Sequence, residues 1–448
     1  MSTRIPVAIL VLACLSAEVA LAQQQQESTG GFGGPSILSI PGMPLGRALG
    51  RPIGFRVYAS IRAQYSTSLG GPLDSNGNIT SSGYDNTGGR ASWGVYGVQQ
   101  GPRDFLGIDY SGNYTYYTSG RKGDGQILSL TYGRQLTQRT TFFVGATGGR
   151  YTFLQTTWRN ALFPSDPTGI TDPAANPFDT TTLGGGASAG VRHMFTETWA
   201  VSLSGGGFYA GRKDPRLIDS EGTHASASVS RRLGPNQELG GSYHFQYFFF
   251  PNGFGDSFVH TATVDYHRRL SETWNLNLSA GGSRVDNERL QSVPLDPLLA
   301  QLTGQSSLLQ AANILVYRPA VAVTLGKQFE QSSLSFYYRK QVSPGTAFIT
   351  TTHAESGGVS YSYTGTERWN VGFNGSADKR SALFQEVGSY QSYGGGVGVG
   401  YRIWQWLHFT ANVQARRYQV RGSDFQRTRA NVSVGLSFSP GDTPLALF

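Results

Sequence analysis

From Val57 onward the chain alternates apolar and polar residues with a period of two, as a strand does when its two faces meet different media. Val57, Ala59, Ile61, Ala63 and Tyr65 share one face; Arg56, Tyr58, Ser60, Arg62 and Gln64 share the other. The pattern returns with Leu106, Ile108, Tyr110 and Tyr114 against Gly107, Asp109, Ser111 and Asn113. It returns again with Trp274, Leu276, Leu278 and Ala280 against Asn275, Asn277, Ser279 and Gly281. Near the end, Leu407, Phe409, Ala411 and Val413 oppose His408, Thr410, Asn412 and Gln414, and Ala430, Val432, Val434, Leu436 and Phe438 oppose Arg429, Asn431, Ser433 and Gly435.

Alternation alone also suits a soluble sandwich, and the connections separate the two cases. Tight connections are expected near Gly101 to Asp104, Leu136 to Thr140, Phe195 to Trp199, Leu233 to Glu238, Leu270 to Trp274, Phe329 to Ser332, Gly365 to Trp369 and Ile403 to Trp406. Long ones are expected over Ser66 to Gly89, Leu154 to Phe178, Gly211 to Gly222, Asn287 to Asn313 and Lys379 to Gly388. Short and long connections in alternation put turns on one rim of a sheet and loops on the other. The expected fold is therefore all-β, a transmembrane antiparallel up-and-down β-barrel of about 18 strands, with short periplasmic turns, long extracellular loops and both termini periplasmic.

A turn signature supports this phase. Thr196-Glu197-Thr198-Trp199, Ser271-Glu272-Thr273-Trp274 and Thr366-Glu367-Arg368-Trp369 each close one alternating stretch and open the next. Tryptophan prefers a membrane interface, so Trp199, Trp274, Trp369, Trp404, Trp406 and Phe438 are read as an aromatic girdle at the periplasmic rim.

Composition explains why a plain hydropathy average hides the spans. Only 38% of residues are hydrophobic, while Gly (60), Tyr (23) and Phe (25) are abundant, as expected when every second residue of a strand faces lipid. Arg4, the apolar run Ile5 to Leu15 and Ala20-Leu21-Ala22 read as a cleaved secretory signal peptide over 1–22. Val11-Leu12-Ala13-Cys14 loosely matches a lipobox, but Ala20-Leu21-Ala22 is the cleaner processing site, and its use removes the single cysteine. Residues 23–53, rich in Gln, Gly, Ser and Pro, are expected as a flexible periplasmic tail or lumen plug, 54–438 as the barrel and 439–448 as a C-terminal tail. No cofactor and no nucleic-acid partner is expected.

Candidate chemistry is sparse. Gly186-Ala187-Ser188-Ala189-Gly190 matches a hydrolase nucleophile elbow in form, yet it lies within an alternating strand with no helix after it. The seven histidines are dispersed, so no enzyme is expected. Asp74, Asn76, Asn78 and Asp85 have the offsets of a calcium loop, but Ile79 stands where the glycine should be. By parity, Arg56, Arg192, Arg232, Arg269 and Arg402 point inward near the periplasmic end, and Arg62, Arg339, Arg416, Arg427 and Arg429 point inward higher up. Asp109 and Asp265 are the clearest inward carboxylates, and Arg417 and Lys340 point outward near the outer rim. With a net charge of +8, this favours anions or acidic sugars in the lumen, unless the arginines brace the wall against loop or plug carboxylates. Two segments could constrict the pore, Leu295 to Leu309 and Phe163 to Phe178.

The signal peptide, the repeated turn tryptophan, Trp404 with Trp406 and the last strand Asn431 to Phe438 together resemble the outer-membrane β-barrel porin families of Gram-negative bacteria. That resemblance implies the cell outer membrane as location, the barrel-insertion machinery, lipid and lipopolysaccharide as partners, and a monomer or homotrimer. It implies a channel for small hydrophilic solutes, and the inward arginines make anions the expected ones. Alternatives are the exit barrel of an exopolysaccharide or secretion system, which would carry acidic polysaccharide, and a structural or adhesive surface barrel with a closed lumen.

Overall fold

Each strand from Arg56 to Phe438 pairs antiparallel with the next, and the last pairs with the first. The computed structural model describes residues 47–48, 51–52, 55–69, 84–152, 180–215, 217–251, 255–294, 307–344, 350–363, 368–383, 389–421 and 426–439. Two short rungs, β1 (Arg47–Ala48) and β2 (Arg51–Pro52), pair with each other ahead of the barrel. The first half of the barrel is β3 (Arg56–Leu69), β4 (Tyr84–Gln100), β5 (Asp104–Tyr117), β6 (Lys122–Gln135), β7 (Thr140–Tyr151), β8 (Thr182–Met194), β9 (Trp199–Arg212), β10 (Ser220–Gly234) and β11 (Gln237–Phe249). The second half is β12 (Asp256–Arg269), β13 (Trp274–Pro294), β14 (Ser307–Gln328), β15 (Ser332–Ser343), β16 (Thr352–Tyr363), β17 (Trp369–Ala382), β18 (Tyr390–Trp404), β19 (Leu407–Val420) and β20 (Gln426–Phe438). The closed ring of β3 to β20 contains 18 strands, the number and topology expected from the alternation. The signal segment, most of 23–53 and nearly all of the C-terminal tail lie outside the described residues.

One rim carries the connections 101–103, 136–139, 195–198, 235–236, 270–273, 329–331, 364–368 and 405–406, all eight of the expected tight turns. The other rim carries the longer ones, and its shortest connections are 421–425 and 118–121. Residues 118–121 form a tight turn there, because Gly120 takes a φ of +80° and Tyr117 N donates to Arg121 O at 2.9 Å. The expected loop Asn287 to Asn313 is also largely strand, since β13 runs to Pro294 and β14 starts at Ser307. Its hairpin stands beyond its neighbours: β12 pairs with β13 only to Glu288, and β15 pairs with β14 only below Val321. The ladder to β15 stops beside Pro319, which has no N–H to offer, and His353 Nε2 donates instead to Pro319 O at 3.3 Å. Likewise the expected loop Ser66 to Gly89 is strand at both ends, through Leu69 and from Tyr84.

The tryptophan turns fold for a reason visible in their first residue. Thr196 Oγ1 accepts from Thr198 N at 3.2 Å and from Trp199 N at 3.0 Å. Ser271 Oγ repeats this with Thr273 N at 3.3 Å and Trp274 N at 3.2 Å. A short hydroxyl side chain satisfies two turn amides that the ladder leaves over. The third copy falls partly outside the described residues, but Trp369 again opens a strand.

The barrel is apolar outside and polar inside. Ile61 is 74% exposed and Val264 60%, whereas the inward Ser60, Gln64, Ser202 and Thr410 are buried against the wall. A strand of 14 residues such as β3 is about 46 Å long at ~3.3 Å per residue, so a tilt of ~40° still leaves about 35 Å of height. That exceeds the ~25 Å apolar band of an outer-membrane barrel. Trp199, Trp274, Trp369, Trp404, Trp406 and Phe438 all lie at the short-turn rim, with Trp404, Trp406 and Phe438 packed in sequence at 5.4 and 5.7 Å. Arg231 sits over the Trp199 ring and Lys327 over the Trp274 ring. Towards the long-loop rim three outward tyrosines donate to nearby carboxylates, Tyr65 to Asp85 at 3.0 Å, Tyr247 to Asp256 at 3.3 Å and Tyr338 to Glu355 at 2.8 Å.

Closure joins β20 to β3 from Phe438 opposite Ala59 up to Asn431 opposite Ser66. Above that point β3 bends, with Ser68 at a φ of 53°. Side chains then carry the seam. Thr67 Oγ1 accepts from Ala430 N at 2.8 Å, and Arg427 Nε donates to Ser68 O at 3.0 Å.

If the exposed face meets lipid, Ile61→Arg will cost about 2–4 kcal/mol of folding free energy. Urea titration of refolding into vesicles measures this, and Ser111→Arg, on the lumen face, is expected to cost much less.

Candidate functional site: the lumen

Register fixes which side chains reach the lumen. Arg62 stands opposite Arg90, Arg416 opposite Arg429, Arg402 opposite His408, Arg232 opposite Glu238, and Arg339 between Ala322 and Ser356, all on the inward parity. Arg192 is inward opposite Thr141 and Ser202. Arg269 reaches back to its own rim and donates through Nη2 to Glu272 O at 3.2 Å. The side chain of Arg56 lies outside the described residues. Parity also brings in Arg90, Arg318 and Arg380, and the carboxylates Glu238 and Asp378, which the sequence reading did not single out. Alternation could have found Asp378; around Arg90 the run Thr87-Gly88-Gly89-Arg90 has too few apolar residues to show its phase.

These arginines fall into two kinds. Arg416, 4% exposed, is a brace: Nη1 donates to Asp378 Oδ2 at 3.1 Å and Ser392 Oγ at 2.8 Å, and Nη2 to Ser376 Oγ at 2.7 Å. Arg427, 1% exposed, is the clamp on the β3–β20 seam. Arg192 differs in having no carboxylate or hydroxyl partner among the described residues, although its Nε, like that of Arg416, is buried and unsatisfied. Arg62 Nε is in the same condition. Arg417 points outward, and Lys340 meets Glu355 at 3.7 Å on the outer face.

Asp265 is held by hydroxyls. Ser279 Oγ donates to Oδ1 at 2.6 Å, Thr263 Oγ1 to Oδ1 at 3.2 Å, and Ser242 Oγ to Oδ2. This carboxylate lies in a polar recess of about 130 Å³ on the short-turn half of the wall, which also includes Arg192, Glu238, His267 and Asn277.

Across the lumen nearer the long-loop rim lies an apolar septum. Between β9 and β10, Ile218 turns inward into a cluster with Phe208, Phe248, Phe250, Val259, Val285 and Val342. Its neighbour Leu217 packs instead on Tyr390 and Tyr418, with Ala382 and Val420. Those tyrosines belong to β18 and β19, which stand nine strands from β9 and β10 in either direction round the ring. The connection therefore bridges opposite walls. Its base is pinned by Arg212 N to Asp219 Oδ1 at 2.7 Å and by Leu217 N to Asp214 O at 3.1 Å. A second inward tie joins Ser257 Oγ to Thr351 Oγ1 at 2.6 Å, and Asn287 Nδ2 donates to the same Ser257 Oγ. Of the two segments expected to constrict the pore, 163–178 and 295–306 lie outside the described residues, while Leu308 and Leu309 are strand residues of β14.

Asp74, Asn76 and Asn78 lie outside the described residues. Asp85 is engaged by Tyr65 and by Ser68 N at 3.2 Å. The Ser188 of the elbow-like run is on β8, a strand through to Met194.

No protein-family model matches the chain, and no curated protein does. Among solved structures, OpdL of Pseudomonas aeruginosa is 11% identical, with a TM-score of 0.40, over 86% of this chain and 98% of that one. OccK2 of the same organism, solved in complex with glucuronate, is 10% identical, with a TM-score of 0.42 over 86% and 98%. A BenF-like porin from Pseudomonas fluorescens is 8% identical, with a TM-score of 0.40 over 86% and 98%. At this level it is a likeness of barrel form alone.

Removing one partner of the Arg416–Asp378 pair leaves a buried charge, so Arg416→Met is expected to cost about 3–5 kcal/mol, and Arg416→Met with Asp378→Leu to recover most of it. Thermal unfolding followed by heat-modifiable gel mobility tests both. Replacing 213–219 by a short Gly-Ser turn is expected to leave the melting curve of the barrel nearly unchanged while raising its conductance.

Proposed function

We propose that the chain is an outer-membrane channel for small hydrophilic solutes, with a preference for anions. The observation that carries the membrane assignment is the inversion of the barrel: large apolar side chains cover its outside, and hydroxyls, amides and guanidinium groups line its inside. A closed ring of strands needs no water for its backbone, which is what a bilayer demands. The short-turn rim, with its tryptophans, is the periplasmic side in this reading.

The anion preference rests on the inward charges. Arg416 faces Arg429, and Arg62 faces Arg90, on four neighbouring strands, β19, β20, β3 and β4. Like charges placed opposite one another raise the local positive potential. Arg416 and Arg427 are held by the wall, which leaves Arg192, on the polar recess of the short-turn half, as the guanidinium best placed to meet a solute. An exit barrel for acidic polysaccharide is the second reading, favoured by the polar recess on the periplasmic side of the septum.

Planar-bilayer recording under a salt gradient tests this with the wild type and the 213–219 replacement side by side. A reversal potential on the anion side is expected, moving towards zero in Arg62→Gln/Arg90→Gln. Absence of conductance in both proteins would leave the closed surface barrel standing, and cation preference would overturn the reading of the arginines.

A further inference from the structure

We propose that the inner wall of β8–β14 is a binding groove for an extended, hydroxyl-rich anionic glycan segment. This rests on the reading of the lumen as a solvent passage and names what the passage would hold. Serines and threonines make up much of the inward surface there, with Arg192, Glu238 and His267 among them. In register, Arg192 stands opposite Ser202, Ser202 opposite Ser228, Ser228 opposite Ser242 and Ser242 opposite Thr263. One guanidinium therefore heads a row of four hydroxyls on successive strands. Six strand spacings at ~4.8 Å separate β8 from β14, about 29 Å along the wall. A single sugar ring covers only part of that length, and several linked rings cover it.

The chemistry of the row suits alternating hydroxyl groups. Ser242, Ser279 and Thr263 spend their protons on Asp265, which leaves their oxygens as acceptors towards the lumen. Asn277 Oδ1 is engaged by His267 Nδ1 at 2.5 Å, so its amide hydrogens remain as donors. Acceptors and donors side by side on a rigid strand face match a polyol, whose hydroxyls both give and take. Arg192 adds the charge: it lines the recess, and the outer nitrogens of its fork suit a carboxylate.

Calorimetry on the refolded full-length mature chain in detergent, with trigalacturonate, monogalacturonate and maltotriose as probes, decides the point. Trigalacturonate is expected to bind at least about tenfold more tightly than the monomer. Arg192→Gln is expected to weaken trigalacturonate about tenfold, one charge-assisted hydrogen bond's worth, and to leave maltotriose unchanged. Asn277→Ala is a second variant, expected to weaken both trimers, and heat-modifiable mobility confirms that each variant is folded. Equal affinity for the monomer and the trimer, or an Arg192→Gln protein that binds as the wild type does, overturns the groove. Because binding is read without a membrane, a groove that binds in a barrel that does not conduct would overturn the channel reading and not this one.

Discussion

Backbone closure is the constraint on which the rest depends. Each strand of the ring pairs with a neighbour on both sides over most of its length, and the ring would have two raw edges without the pairing of β20 to β3. That pairing is also one of the shorter ladders, and it stops where β3 bends at Ser68. The protein replaces the missing rungs with side chains, above all Arg427, which gives up its place as a lumen charge to hold a backbone carbonyl. The same substitution of side chain for ladder recurs beside Pro319, where His353 supplies the bond that β15 does not. Closure is thus continuous along the apolar band and patched above it.

Period-two alternation made the strands legible, because burial on one face and exposure on the other leave that imprint at every second residue. The turns were legible through Thr196 and Ser271, whose hydroxyls bind the amides that follow. What could not be read was the reach of β13 and β14. Asn287 to Asn313 lacks a clear apolar stripe, since a hairpin standing clear of its neighbours has no lipid face to mark. The tight turn at Gly120 broke the short-long rhythm in the same way, through one residue's freedom at positive φ rather than through any change of pattern.

The site was legible in its parity and opaque in its partners. Inward arginines follow from alternation, but whether an arginine meets solvent or wall depends on residues far away in sequence. Arg416 is matched by Asp378, on a strand two places round the ring, and no local pattern links them. The septum was invisible for a related reason. Leu217 and Ile218 are two apolar residues in a short connection, and only the ring's geometry sets them between Phe248 on one wall and Tyr418 on the other.

That septum has a consequence for water rather than for shape. Leu217, Ile218 and the phenylalanines beside them offer water almost no hydrogen bonds, and an apolar constriction of this kind favours dewetting. An ion, which must keep its hydration shell, meets a dewetted constriction as an energetic barrier even where the gap is wide enough. In the proposed channel, permeability would then turn on whether water wets Leu217 and Ile218 rather than on the width of the ring.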